Sequence, residues 1–243
     1  LKKRRGQGGE GPGETGRRSP ARRFSIPFVA AICAAAICSS SCGIESSVYY
    51  SPPSFAYAGN LLTLQHNSDN TDFFLGYDVY YRAYYSLSEA TAARSAIESA
   101  TNSTSYTPDS VLSLLVSKGF KKMCLATAPT VTQTPLLPKG PSTFYIYLPS
   151  TSSSTDWYYV TNSSATQIGL VRNTGYGDHF NSPYLVGAND YGSTASGVSS
   201  GQTVYIDAFA LAYGYDFSKL SSIYSYPASL YEPIGGSNGY TLP

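Results

Sequence analysis

Charge is scarce in this chain: Lys, Arg, Asp and Glu together make up 13% of its 243 residues. A coiled coil, a long helical bundle or a charge-driven disordered chain needs far more of them, so all three are excluded. Histidine is limited to His66 and His179, and cysteine to Cys33, Cys38, Cys42 and Cys124. These residues form no HExxH, no CxxC and no Cys/His spacing of the zinc type, so neither a metal nor another cofactor is expected. The glycine-rich stretches GYGDH and GSTASGVSSG match neither GxxxxGK[ST] nor a strand-linked GxGxxG, which removes the nucleotide reading. No GxSxG nucleophile elbow is expected, GQTVY not being one, and no catalytic residue is assigned. Asp69, Asp72, Asp156, Asp178 and Asp190 are scattered in polar loops; a glycosidase needs two acids across one sugar bond, and spacing alone selects no pair.

What charge there is lies unevenly. Residues 1–23 hold eight Lys or Arg against Glu10 and Glu14, a net +6, while the rest holds eight against thirteen acids, a net −5. This head lacks apolar periodicity and leads into Phe24–Ile37, FSIPFVAAICAAAI, then CSSSCG. A basic region, a short apolar run and small residues make a secretory signal, and the run is shorter than the roughly 20 residues a spanning helix needs. An apolar run behind the basic head argues against a nucleic-acid partner.

Cys42 follows Ser39, Ser40 and Ser41 and precedes Gly43. The segment resembles a bacterial lipoprotein signal, most closely the relaxed, serine-containing form found in spirochaetes. That resemblance implies cleavage before Cys42, a lipidated thiol and a lipid-anchored place in the bacterial cell envelope. Residues 1–41 are then head and signal, 42–54 a tether, and 55–243 the domain. With Cys33 and Cys38 removed and Cys42 acylated, Cys124 is expected as a buried free thiol.

Beyond the tether, short apolar-aromatic runs alternate with Gly, Pro, Asn and Ser clusters, the mark of a mainly β domain. Strands are predicted over 60–65, 73–84, 144–148, 157–161, 167–172, 203–212 and 222–226. In the second, Phe73, Leu75, Tyr77, Val79, Tyr81 and Ala83 share a face; in the sixth, Val204, Ile206, Ala208, Ala210 and Ala212 do. Two helices interrupt the rhythm near 86–120. Ser86-Leu-Ser-Glu89 is a capping box, and Thr107-Pro108-Asp109 opens a second helix that closes before Gly119. Their predicted packing faces are Ala90, Arg94 and Ile97, and Leu112, Leu115 and Val116.

FLGYDVYYRAY looks like strand C of a fibronectin type III domain, and SGQTVYIDAFALAYGYDFSKLSSIYSYP looks like its strands F and G. This resemblance implies a fibronectin type III or immunoglobulin-like sandwich carrying a helical insertion. Asn102-Ser-Thr104 and Asn162-Ser-Ser164 read as loop polarity behind a bacterial-type signal.

The 23 tyrosines are the one feature of the body that suggests recognition. Tyr offers large area at low entropic cost, and Ser and Asn add hydrogen bonds. Trp157, Tyr158, Tyr176, Tyr184 and Tyr191 are therefore the candidate contacts for a protein or glycan ligand. The reading is a non-enzymatic envelope lipoprotein, structural or ligand-binding, with a carbohydrate-binding or adhesion module second and a cell-wall hydrolase third.

Overall fold

The computed structural model describes residues 49–67, 73–130, 133–140, 142–148, 157–160, 166–217 and 219–243. The basic head, the apolar run and Cys42 lie outside them, as do Asp69, Asp72, Asp156 and Asn162. Strands β1 (Ser54–Ala58), β2 (Leu61–Gln65) and β3 (Phe74–Tyr84) come first, followed by helices α1 (Leu87–Thr101) and α2 (Pro108–Ser117). Then come β4 (Lys121–Lys122), β5 (Cys124–Leu125), β6 (Leu137–Pro138), β7 (Thr143–Tyr147), β8 (Tyr158–Val160) and β9 (Gln167–Val171). The chain closes with β10 (Thr203–Asp216), β11 (Ser221–Tyr224), β12 (Ala228–Ser229) and β13 (Tyr240–Thr241).

Two antiparallel sheets share one core. The first runs β1-β2-β7-β8-β9-β5 and the second β11-β10-β3-β4. Leu62, Leu64, Phe144 and Ile146 alternate with outward-facing neighbours, so the first sheet has one face on the core. Opposite them stand Tyr77, Val79, Tyr81 and Ala83 of β3 and Val204, Ile206, Ala208, Ala210 and Ala212 of β10. Register pairs large with small: Tyr81 faces Ala208, and Tyr77 faces Ala212. The small methyls leave room for the tyrosine rings.

The second sheet is buried on its other face as well. Tyr80, Phe209 and Leu211 pack there against Ile97 and Ala100 of α1 and Val111 and Leu115 of α2. The predicted insertion thus forms a third layer. Both capping boxes are present, at Ser86 with Glu89 and at Thr107 with Ser110. Val116, expected to pack, is 49% exposed, because Pro108, Val111 and Leu115 already form the i, i+3, i+7 stripe that meets the sheet.

The shared face predicted for β3 holds from Tyr77 onward and fails before it. Gly214 pairs with Phe74 and Tyr213 with Gly76, which leaves Leu75 as the extra residue of a bulge. The bulge turns Phe74 inward and leaves Phe73 and Leu75 exposed. Gly76 permits it: its φ is +151°, and a Cβ there would lie 2.1 Å from the Leu137 carbonyl oxygen.

Three buried aspartates fasten outer elements to the β3–β10 pair. Asp78 of β3 accepts from Lys122 Nζ at 3.1 Å and from the Leu136 N–H at 2.9 Å. Asp190 pairs with Arg172 at 2.8 Å, and its backbone carbonyl accepts from the Ala83 N–H. Asp207 of β10 lies 3.6 Å from Arg94 of α1 and across the register from Arg82. Burial drives the Asp207 carboxyl up from its ordinary 3.8 to about 7; Arg94 lowers it and Glu98 raises it further.

This shift carries a pH signature. An unfolded chain ionises Asp207 near pH 4, whereas the folded one keeps its proton up to about 7. The native state therefore binds more protons in that window, and this group's contribution to stability declines as pH rises from about 4 to about 7. Asp207→Asn keeps the shape and removes the titration, so its denaturation midpoint should fall less, or rise more, as pH goes from about 4 to about 7 than the parent's does. An unchanged slope would assign the dependence to other groups.

Candidate functional site

The cavity of interest lies where β2 ends, β3 begins and the β6–β7 connection passes. His66 follows β2, and its N–H donates to the Ser142 carbonyl at 2.7 Å. Phe74 is turned inward by the Leu75 bulge, and the pairing of β6 with Gly76 and Tyr77 brings Lys139 alongside. The Lys139 N–H donates to the Leu75 carbonyl at 2.6 Å. Together with Gly140 and Phe144 these residues enclose about 180 Å³.

Its walls are mostly aromatic. Phe74 meets Tyr77 edge-on at 5.0 Å, Tyr77 meets Phe144 at 6.0 Å, and the His66 ring lies 4.9 Å from Phe74. His66 Nδ1 is hydrogen-bonded to the Tyr77 hydroxyl. Burial lowers the His66 pKa, nearby Lys139 lowers it further, and burial pushes Tyr77 up to about 12. At neutral pH the pair is thus an uncharged imidazole and an uncharged phenol. Lys139 Nζ, 6.0 Å from the centre of the Phe74 ring, supplies the positive charge.

Such a site can hold a small group by apolar contact, hydrogen bonds and one cation. The volume is below the roughly 300 Å³ where drug-sized sites begin, which restricts it to a small molecule or one end of a larger one. No carboxylate lines it among the described residues, so it offers no acid pair for glycoside hydrolysis.

The five aromatic residues proposed from sequence do not gather into one surface. Trp157 is fully buried, stacked on Phe180 with ring centres 4.0 Å apart. Tyr184 is also fully buried, under the Arg172 guanidinium at 3.8 Å, and Tyr191 is 4% exposed with its hydroxyl donating to the Ser196 carbonyl. All three serve the core. Tyr158 is half-buried and stacks on Tyr147 at 5.1 Å, while Tyr176 is 89% exposed.

Arg172 explains how the partly exposed 172–192 loop buries Tyr184 and Asp190. Its Nε and Nη2 donate to both oxygens of Asp190, at 2.8 and 2.9 Å, and its Nη1 donates to the Pro183 carbonyl at 3.0 Å. The Tyr81 hydroxyl donates to the same Asp190 carboxylate and accepts from the Asn173 N–H. Asp190, read from sequence as a loop acid, is fully buried, and Asp178 is half-buried. Cys124 is the buried thiol expected.

Two Gly-x-Ser-x-Gly stretches do occur, Gly197–Gly201 and Gly235–Gly239. The first spans the Val198 bridge to Tyr184 and the turn after it, and the second spans the three-residue 3-10 helix Gly236–Asn238, so neither sits on the strand-turn-helix of a nucleophile elbow. Among the described residues no cluster of three His, Cys, Asp or Glu side chains is poised for a metal, and no helix is long and apolar enough to cross a membrane. No family model, no curated protein and no solved structure matches this chain.

His66, which has no metal or catalytic partner in the sequence, is instead a wall of this cavity. Its lining comes from segments around 66, 74–77 and 139–144, and no single window of sequence holds the set.

Proposed function

We propose that this chain is a lipid-anchored bacterial envelope lipoprotein, acylated on Cys42, whose β domain is a non-enzymatic structural or ligand-binding module. The observation that carries it is the order basic head, apolar run, Ser39-Ser-Ser-Cys42-Gly43. Only seven positions separate Cys42 from Tyr49, where the described domain begins. The cavity beside His66 and Lys139 is the proposed ligand site, suited to a small molecule with an anionic group.

Strand placement supports a fibronectin type III-like origin. β1, β2 and β7 share one sheet as strands A, B and E would, and β3, β10 and β11 share the other as C, F and G would. The two helices then occupy the connection after C. The glycan-binding alternative is favoured by the stacked Tyr147–Tyr158 pair, in which Tyr147 is 37% exposed.

The test is the mass of the N-terminal peptide of the protein extracted from its native membrane, beside a Cys42→Ser form. A peptide starting at Cys42 with added acyl mass is expected, and absent in the variant. An unmodified terminus at another position would overturn the anchor.

A further inference from the structure

Four large apolar side chains stand exposed at one end of the second sheet: Phe73 at 56%, Leu75 at 42%, Phe217 at 59% and Leu220 at 74%. Scattered exposed apolar residues are ordinary, but a contiguous group is not. Phe73 and Phe217 are in ring contact at 4.7 Å, and Tyr215 meets Phe217 at 5.0 Å. Leu75 follows Phe73 on the bulge, and Leu220 shares the β10–β11 tip with Phe217.

The backbone here is also exceptional. Among the described residues Phe73 (φ +65°) and Leu220 (φ +51°) are the non-glycine positions with positive φ. Bulky side chains are rare in that region. Both occurrences fall within this patch, and both hold an apolar side chain in solvent. Such outliers cluster at functional sites.

The start of the domain lies on the same side. Tyr50 is buried against Phe74, with ring centres 5.8 Å apart, and pairs in parallel with Ser225. Parallel pairing places Tyr49 toward the Ser221 end of β11, the end that carries the tip. Seven residues reach at most about 25 Å, so a lipid on Cys42 keeps a bilayer within range of the patch. The backbone N–H of exposed Lys139 is bonded to the Leu75 carbonyl, so this residue leaves the chain next to the patch, with its Nζ directed over Phe74 toward the cavity. Asp216 also belongs to the tip, where its carboxylate accepts from the Lys219 N–H at 3.3 Å.

We infer that Phe73, Leu75, Phe217 and Leu220 form a membrane-contact surface that enters the interface of the bilayer holding the Cys42 lipid. The inference rests on the lipoprotein reading for its tether, while the patch itself has its own observations. Four side chains are a weak anchor alone; beside a lipid they act at high effective concentration and fix the domain's orientation.

The test uses tryptophan as a depth probe, since Trp157 is fully buried and gives a constant background. The lipidated chain beginning at Cys42 and carrying Phe217→Trp is bound through its lipid to phosphatidylethanolamine/phosphatidylglycerol vesicles with or without brominated acyl chains. Tyr231→Trp, at a position 98% exposed on the turn after β12, is the control. Bromine should reduce the added emission of the first at least twofold and leave the second unchanged. Vesicle-bound protein with no quenching at 217, or equal quenching at both positions, would overturn the patch while leaving the anchor intact. If the chain carries no lipid, the anchor reading fails, and Cys42→Ser/Phe217→Trp at raised lipid decides the patch. Quenching there, lost on adding Phe73→Ser and Leu220→Ser, supports it; none refutes it.

Discussion

Replacing Asp190 by alanine should lower the unfolding free energy by about 3–5 kcal/mol, the usual cost of removing one partner from a buried ion pair. Arg172 would be left buried with two donors unmet, and Tyr81 would lose the acceptor for its hydroxyl. For a domain of this size the melting temperature should fall by about 6–20 °C. The loss arises from the uncompensated charge more than from the missing attraction, so the double variant Arg172→Met/Asp190→Leu should recover most of it. Denaturant titration of the parent, Asp190→Ala and the double variant makes the comparison. A single-variant loss below about 1 kcal/mol would show that water or another group solvates Arg172.

Trp157→Ala carries the second large effect, about 3–5 kcal/mol, as expected when a buried indole is removed. Its ring lies flat on Phe180, tilted by 8°, and edge-on to Tyr240 at 5.8 Å. A ligand platform would behave differently: the variant would keep its stability and lose only binding. Half-buried Tyr158 provides the contrast, since Tyr158→Ala should cost about 1 kcal/mol or less. Equal costs for the two would refute the core assignment of Trp157.

Long elements were legible in the sequence because periodicity accumulates along them. β3 and β10 showed the two-residue alternation, and the helices announced themselves through the Ser86–Glu89 capping box and the Thr107-Pro108-Asp109 start, while the five residues of β1 were read in part as tether. Two-residue segments carry no period, which hid β4, β5, β6, β12 and β13. The Leu75 bulge shifts a pattern by one position, so Phe73 and Leu75 read as core. The helices covering the second sheet left a separate trace, since Phe209 and Leu211 are apolar where a half-exposed strand would be polar. The aromatic candidates were misplaced for a different reason. Loops are normally wet, but the Arg172–Asp190 pair and the bridges of Tyr191 to Ala83 and Tyr184 to Val198 hold Tyr184 and Tyr191 inward. The cavity was illegible because register, set by pairing, brings its segments together.

The centre of the second sheet is closed by partners from opposite ends of the domain, Tyr84 with Tyr205 and Phe74 with Gly214. Closing so long a loop is slow, in the millisecond-to-second range of non-local β folds. During synthesis β3 emerges long before β10, so its stretch must wait unpaired on that side. The second sheet therefore cannot close until β10 has been made, whereas the first sheet, whose strands all precede β10, has its partners earlier.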